Sequence, residues 1–199
     1  VIPEGKTERN ILTHSESGTT IPSDLDLAII NPPFTLWERL PKDERVWLTA
    51  AFKAGGMNYW AYFMLSAERI LRKGGILAAV LPDDFFRGNL AMNVRRSLIG
   101  DGKFTLRYVV RSLKDVAFSE RAAFRDYLVV FTREPPKEDD VFHVALIEES
   151  LRTISEDEAS QLAMQLKTMA KRPHSLCKDK GLTVVSLPYG LVEKYLFNL

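Results

Sequence analysis

Asn31, Pro32, Pro33 and Phe34 follow directly on the apolar run Asp26 to Ile30. An amide at a strand end, two prolines that fix the backbone after it, and an aromatic ring form a compact grip for a flat group bearing an NH₂. The Asn31 side-chain oxygen and the Pro32 carbonyl can each accept one hydrogen of that NH₂, while Phe34 offers a face for the ring that carries it. Accepting both N–H hydrogens tilts an exocyclic nitrogen toward tetrahedral geometry and aims its lone pair at an electrophile, so positioning does the work and no strong base is needed. The competing reading of Pro-Pro-Phe alone is a strand stop beside a core phenylalanine; the preceding Asp-Leu-Ala-Ile-Ile-Asn favours the grip. Cys177 and the dispersed His14, His143 and His174 offer neither a zinc set nor a nucleophile with its base, and no metal is expected.

Such a grip works only on a rigid frame. Asp26 to Ile30 reads as a short buried strand stopped by the two prolines, which remove donors and force the preceding residue extended. Apolar spacing between Arg45 and Arg72 predicts two helices separated at Gly55-Gly56, with Tyr59, Tyr62 and Phe63 on a buried face. Lys73-Gly74-Gly75 is expected to turn the chain into a second apolar strand, Ile76 to Leu81, again stopped by proline. Asp83 or Asp84 should cap a helix over Phe85 to Ile99, and strands are expected at Thr105 to Val110 and Tyr127 to Thr132. This alternation predicts an α/β fold with a mostly parallel sheet covered by helices on both faces. Ligands of such sheets bind beyond the carboxyl ends of the strands, where Asn31 to Phe34 and Leu81-Pro82-Asp83 would lie side by side. Residues 1–23 read as a linker or loop, 24–135 as the main unit, and 136–199 as a linker plus a small α/β segment. That segment carries an amphipathic helix from about Glu156 to Ala170 and a strand from Thr183 to Leu187.

The 199 residues, 46% apolar, suit one good-sized domain and exclude disordered, collagen-like and coiled-coil classes. A single cysteine allows no internal disulfide, and no apolar run nears the roughly 18 residues of a membrane span, so a cytoplasmic protein is expected. The Val start and apolar finish suggest cut ends. The net charge of +1 hides opposed blocks: residues 87–133 carry ten basic and four acidic side chains, whereas 134–160 carry two and nine. Arg87, Arg95, Arg96, Arg111, Lys114 and Arg121 of the basic block are candidates for following a phosphate backbone, against the plainer reading of a solvated surface.

At Asn31-Pro32-Pro33-Phe34 the sequence resembles the class I S-adenosylmethionine-dependent amino-methyltransferases, whose fourth motif is Asn/Asp-Pro-Pro-Tyr/Phe. The stretch from Tyr62 to Phe86, a helix, a Gly-Gly turn and a strand ending Leu-Pro, is similar to that of N6-adenine DNA methylases of restriction-modification systems. The segments Leu106 to Phe118 and Arg125 to Glu134 resemble the eighth motif of the same enzymes, with Phe118 as a second residue against the flipped base.

The resemblance implies a partial Rossmann-like sheet, strands four to seven of the family, and S-adenosylmethionine as cofactor. The family's Gly-rich turn after its first strand and the acid ending its second are not found here; Gly100-Asp101-Gly102 follows a helix and reads as a turn. Only Asn31 would then border the cofactor, and a cofactor-binding half, upstream or downstream, is an implied partner together with DNA and a specificity or restriction subunit. The implied reaction is direct transfer of a methyl group to N6 of an adenine flipped out of the duplex and stacked on Phe34 and Phe118. Two alternatives stay open: an RNA or protein-glutamine methyltransferase, and a non-catalytic nucleic-acid-binding subunit.

Overall fold

A computed structural model describes residues 23–89, 91–115, 125–170 and 176–197. Phe118 and Arg121 lie outside the described residues. Strand β1 (Leu25–Ile30) leads into the proline segment and a 3₁₀ turn at Trp37–Arg39. Helices α1 (Lys42–Phe52) and α2 (Tyr59–Ile70) follow, parted around Gly55-Gly56 as their spacing demands. Strand β2 (Leu71–Pro82) begins directly at the end of α2. The expected turn at Lys73-Gly74-Gly75 is instead an irregularity inside this strand, where the pairing with β1 jumps from Leu25↔Leu71 to Leu27↔Ile76. Gly74 adopts φ +75°, and a Cβ on Gly75 would come within 2.9 Å of the Leu25 carbonyl oxygen, so these glycines let β1 and β2 approach through the bulge.

The single helix expected from Phe85 to Ile99 is broken into a turn, α3 (Asp84–Arg87), a short α4 (Met92–Arg95) and a π turn over Arg96–Gly100. Strands β3 (Thr105–Ser112) and β4 (Asp126–Thr132) come next. β4 inserts antiparallel between β2 and β3, so those two strands run parallel without touching. Beyond it stand β5 (Val141–Ile147), α5 (Glu156–Met169), β6 (Leu176–Asp179), β7 (Leu182–Pro188) and α6 (Gly190–Phe197). Ser155 and Glu158 close α5 with a reciprocal capping box.

All strands join one seven-stranded sheet in the order β1-β2-β4-β3-β5-β7-β6. The α/β class holds, but the sheet is mixed: β1 with β2 and β3 with β5 are parallel, and the other pairs are antiparallel. Short connections such as that between β6 and β7 permit only antiparallel return. The later strands join the same sheet. Strands β5, β7 and β6 extend it, and Phe142, Tyr189 and Val192 are buried with the core of the first part.

That core lies on one face, where Trp60, Tyr62 and Met64 of α2 and Phe85 meet Leu77, Leu81 and Phe131 of the sheet. A second cluster, Val110, Ala145, Ile147, Leu182 and Val184, is covered on the opposite face by Leu162 and Leu166 of α5. On that opposite face α5 does not reach β1 and β2. Leu27 is 51% exposed, Ile29 74% and Ile76 43%, although their strands are as apolar as doubly covered ones.

Buried His143 on β5 shares a 2.8 Å hydrogen bond between Nδ1 and the Ser186 hydroxyl of β7, beside the Tyr108 ring. Burial and the nearby Arg107 charge hold its pKa below the ordinary value. The folded state therefore binds fewer protons than the unfolded chain below about pH 6.5. Stability is complete above that pH and falls as the pH drops toward the folded value. Urea titrations at about pH 5 and pH 7.5 should show a loss on acidification that is smaller in His143→Gln.

Candidate active site

The carboxyl ends of β1, β2, β3 and β5 share one edge of the sheet, because β1 pairs parallel with β2, β3 pairs parallel with β5, and β4 runs antiparallel to both β2 and β3. With Ile30 opposite Ala79, the segments beginning at Asn31 and Pro82 leave the sheet as neighbours, as the two proline stops require. Asn31 is exposed, Pro32 buried, and Pro33 and Phe34 half-buried. Among the described residues the Asn31 amide has no hydrogen-bond partner, so it is uncommitted. Phe34 packs partly against the core and keeps part of its surface in solvent.

A residue that no sequence motif singles out holds this edge together. Buried Asn58, just before α2, accepts the Trp37 N–H on Oδ1 at 3.2 Å and donates from Nδ2 to Asp84 Oδ2 at 3.1 Å. The next N–H, of Tyr59, donates to the Thr35 carbonyl at 2.9 Å. The segment after Asn31 is thus tied to the exit of β2 through one amide, making Asn58 a positioning residue. An Asn beside a Gly-rich break, at the entry to a helix that is apolar on most of its surface, is the one signal for it in the sequence.

Asp83 and Asp84 are expected as helix caps, and Asp83 does precede α3, but its side chain caps nothing. It accepts the Tyr127 hydroxyl at 3.0 Å and faces Arg87 at 3.7 Å. Its N–H donates to the Arg125 carbonyl at 2.7 Å, which ties β2 to the start of β4. Burial and the bond to Asp83 raise the pKa of Tyr127 above its ordinary value. Trp37 stacks on Tyr62 at 6.0 Å and 30°; Tyr62, with its hydroxyl donating to the Ala54 carbonyl, is pushed up to about 12 by burial. Trp60 is fully buried, and Trp47 packs partly on the same core.

The basic block does not act as one face. Arg87 and Arg111 flank Tyr127 at the site edge, Arg111 lying 5.8 Å from the ring centroid. Lys114 is exposed there but paired with Glu149 at 2.8 Å. Arg96 is exposed on the π turn that returns the chain to the start of β3. Arg95 cannot reach a nucleic-acid backbone: it is 1% exposed, and its guanidinium donates to the Phe85 carbonyl at 2.5 Å and the Gly88 carbonyl at 3.2 Å. Lys103 and Arg107 are consumed by Glu68, Glu134 and Asp140. Among the described residues no group of His, Cys, Asp and Glu can hold a metal, and no helix is long and apolar enough to cross a membrane.

No protein-family model and no curated protein matches the sequence. Solved structures do. The type IIG restriction endonuclease BpuSI superposes with a TM-score of 0.63 at 14% identity, over 87% of this chain and 20% of its own. A chain of a type I restriction-modification complex gives 0.60 at 20% identity, over 87% of this chain and 37% of its own. The methyltransferase subunit of a type I restriction-modification system from Streptococcus thermophilus gives 0.59 at 15% identity, over 94% of this chain and 40% of its own. The chain thus spans well under half the length of each of these proteins. The fold is the one found in restriction-modification methyltransferases.

Proposed function

We propose that this chain is the substrate-side half of an S-adenosylmethionine-dependent DNA methyltransferase of a restriction-modification system, acting on N6 of a flipped adenine. The observation that carries the reading is the exposed, uncommitted amide of Asn31 at a strand end, on a proline-stiffened segment braced by Asn58. In this reading the Asn31 side-chain oxygen and the Pro32 carbonyl accept the two N–H hydrogens of the amine, and Phe34 stacks on the ring. Catalysis is then alignment: the nitrogen is turned so that its lone pair faces the donor. Phe118 is the proposed second stacking residue. Arg87, Arg111, Lys114, Arg96 and Arg121 are the proposed phosphate contacts, with Arg95 withdrawn. Cytoplasmic residence and a specificity or restriction subunit belong to the same proposal.

The described residues do not by themselves fit the cofactor. Among them no strand runs into a glycine-rich turn: β1 leads into Asn31-Pro32, β2 into Asp83-Asp84 and β3 into Leu113-Lys114. The reading therefore assigns the methyl donor's seat to a second half. The open edge of β1 and the apolar Leu27, Ile29 and Ile76 support such a neighbour, since its packing would remove them from water.

The decisive experiment supplies labelled S-adenosylmethionine to the protein joined with that half, in the presence of DNA, RNA and protein acceptors separately, and digests whatever becomes labelled. Label in N6-methyladenine from DNA is the expected result. Label in RNA or glutamine would keep the chemistry and replace the substrate. No label with DNA still bound would make this a recognition subunit.

A further inference from the structure

Close in the chain to the proposed site, the 3₁₀ turn and α1 border an open, shallow groove of about 420 Å³ lined by Trp37, Lys42, Arg45, Val46 and Thr49. That volume lies within the ~300–1,000 Å³ typical of small-ligand sites. The four α1 residues recur at helical spacing, i, i+3, i+4 and i+7, so they form one stripe along the helix. Trp37 stacks on Tyr62 and also lines the groove.

The groove's charge is uncommitted. No ion pair among the described residues involves Lys42 or Arg45, and the Arg45 Nε is buried without a hydrogen-bond partner. Of the neighbouring acids, Glu44 accepts the Tyr59 hydroxyl at 2.6 Å, and Asp43 is not free either. Pro41 precedes the helix and offers no side-chain cap, so the first-turn amides of α1 add partial positive charge to the same end. An indole, two free cations and an uncapped helix start suit a ligand with a flat ring next to a phosphate.

We infer that this groove binds one nucleotide of a single-stranded nucleic-acid segment, its base against Trp37 and its phosphate on Lys42 and Arg45. This rests on the nucleic-acid reading above and deepens it. Trp37 lies six residues beyond Asn31 and is held by Asn58, so the nucleotide captured is a near neighbour of the one presented to Asn31. Clamping it keeps the strand open while its neighbour is flipped.

The test titrates the 199-residue chain against a fluorescein-labelled single-stranded oligodeoxynucleotide by anisotropy over a range of KCl concentrations. Lys42→Glu and Arg45→Gln should each weaken binding about tenfold and reduce the salt slope by about one, with the urea midpoint of Lys42→Glu unchanged. Lys178→Glu, on β6 at the other edge of the sheet, should bind as the unaltered chain does. A benzophenone side chain at position 46 should crosslink to the oligonucleotide. Should the unaltered chain bind while Lys42→Glu and Arg45→Gln match Lys178→Glu, the groove is wrong and the nucleic-acid reading survives. Failure of the unaltered chain to bind, with methyl label going to protein, would overturn both.

Discussion

Asn31→Ala, placed in the chain joined with its cofactor-binding half, should lower single-turnover methyl transfer by at least about two to three orders of magnitude. S-adenosylmethionine affinity should change little. The amide is exposed and has no partner among the described residues, so its removal leaves no buried group unsatisfied and costs the fold almost nothing. What is lost is an acceptor that turns the amine nitrogen toward the donor. Asn31→Asp keeps an acceptor oxygen and should retain more activity than Asn31→Ala. Equal turnover in Asn31→Ala and the unaltered protein would remove Asn31 from the site. Equal loss of transfer and of cofactor binding would make its role structural.

Arg95→Ala should destabilise the chain by ~3–5 kcal/mol, read as a fall in the urea midpoint with the slope unchanged. The guanidinium is almost wholly enclosed and donates to the Phe85 and Gly88 carbonyls, which hold the chain as it leaves α3. Truncation strands both acceptors and leaves a cavity beside Phe85. Burial lowers the Arg95 pKa from its ordinary value, and the charge of Asp84 opposes that shift. Arg95→Lys should recover part of the loss, because a single ammonium can reach one carbonyl but not span two. Were Arg95 a backbone-contacting residue, stability would hold and only DNA affinity would fall.

Arg95 also marks the limit of reading charge from sequence. Ten basic residues between 87 and 133 suggest a cationic face, yet side chains are sorted by contacts formed across the fold. Arg107 is taken by Glu134 and Asp140, Lys103 by Glu68, and Arg95 by backbone carbonyls that a broken helix exposes. The break itself follows from Gly88, whose missing Cβ admits the Asp84 carboxylate into the space it would fill. Asn58 escapes notice in the sequence for a similar reason. Its two bonds join residues 21 and 26 positions away, and no local pattern encodes them.

Local chemistry sets the framework of this protein: a strand stopped at Asn31 by two prolines, a second stopped at Pro82, and two helices between them. Those features depend on backbone restrictions and side-chain periodicity within a few residues, which is why the residue order alone puts Asn31 and Pro82 on one edge. Long-range packing settles the rest: that β4 inserts antiparallel, that β5, β7 and β6 join the same sheet, and which cations stay free. These outcomes depend on pairings between distant strands and on burial against a shared core. There, many contacts of comparable strength compete and only the complete packing selects among them.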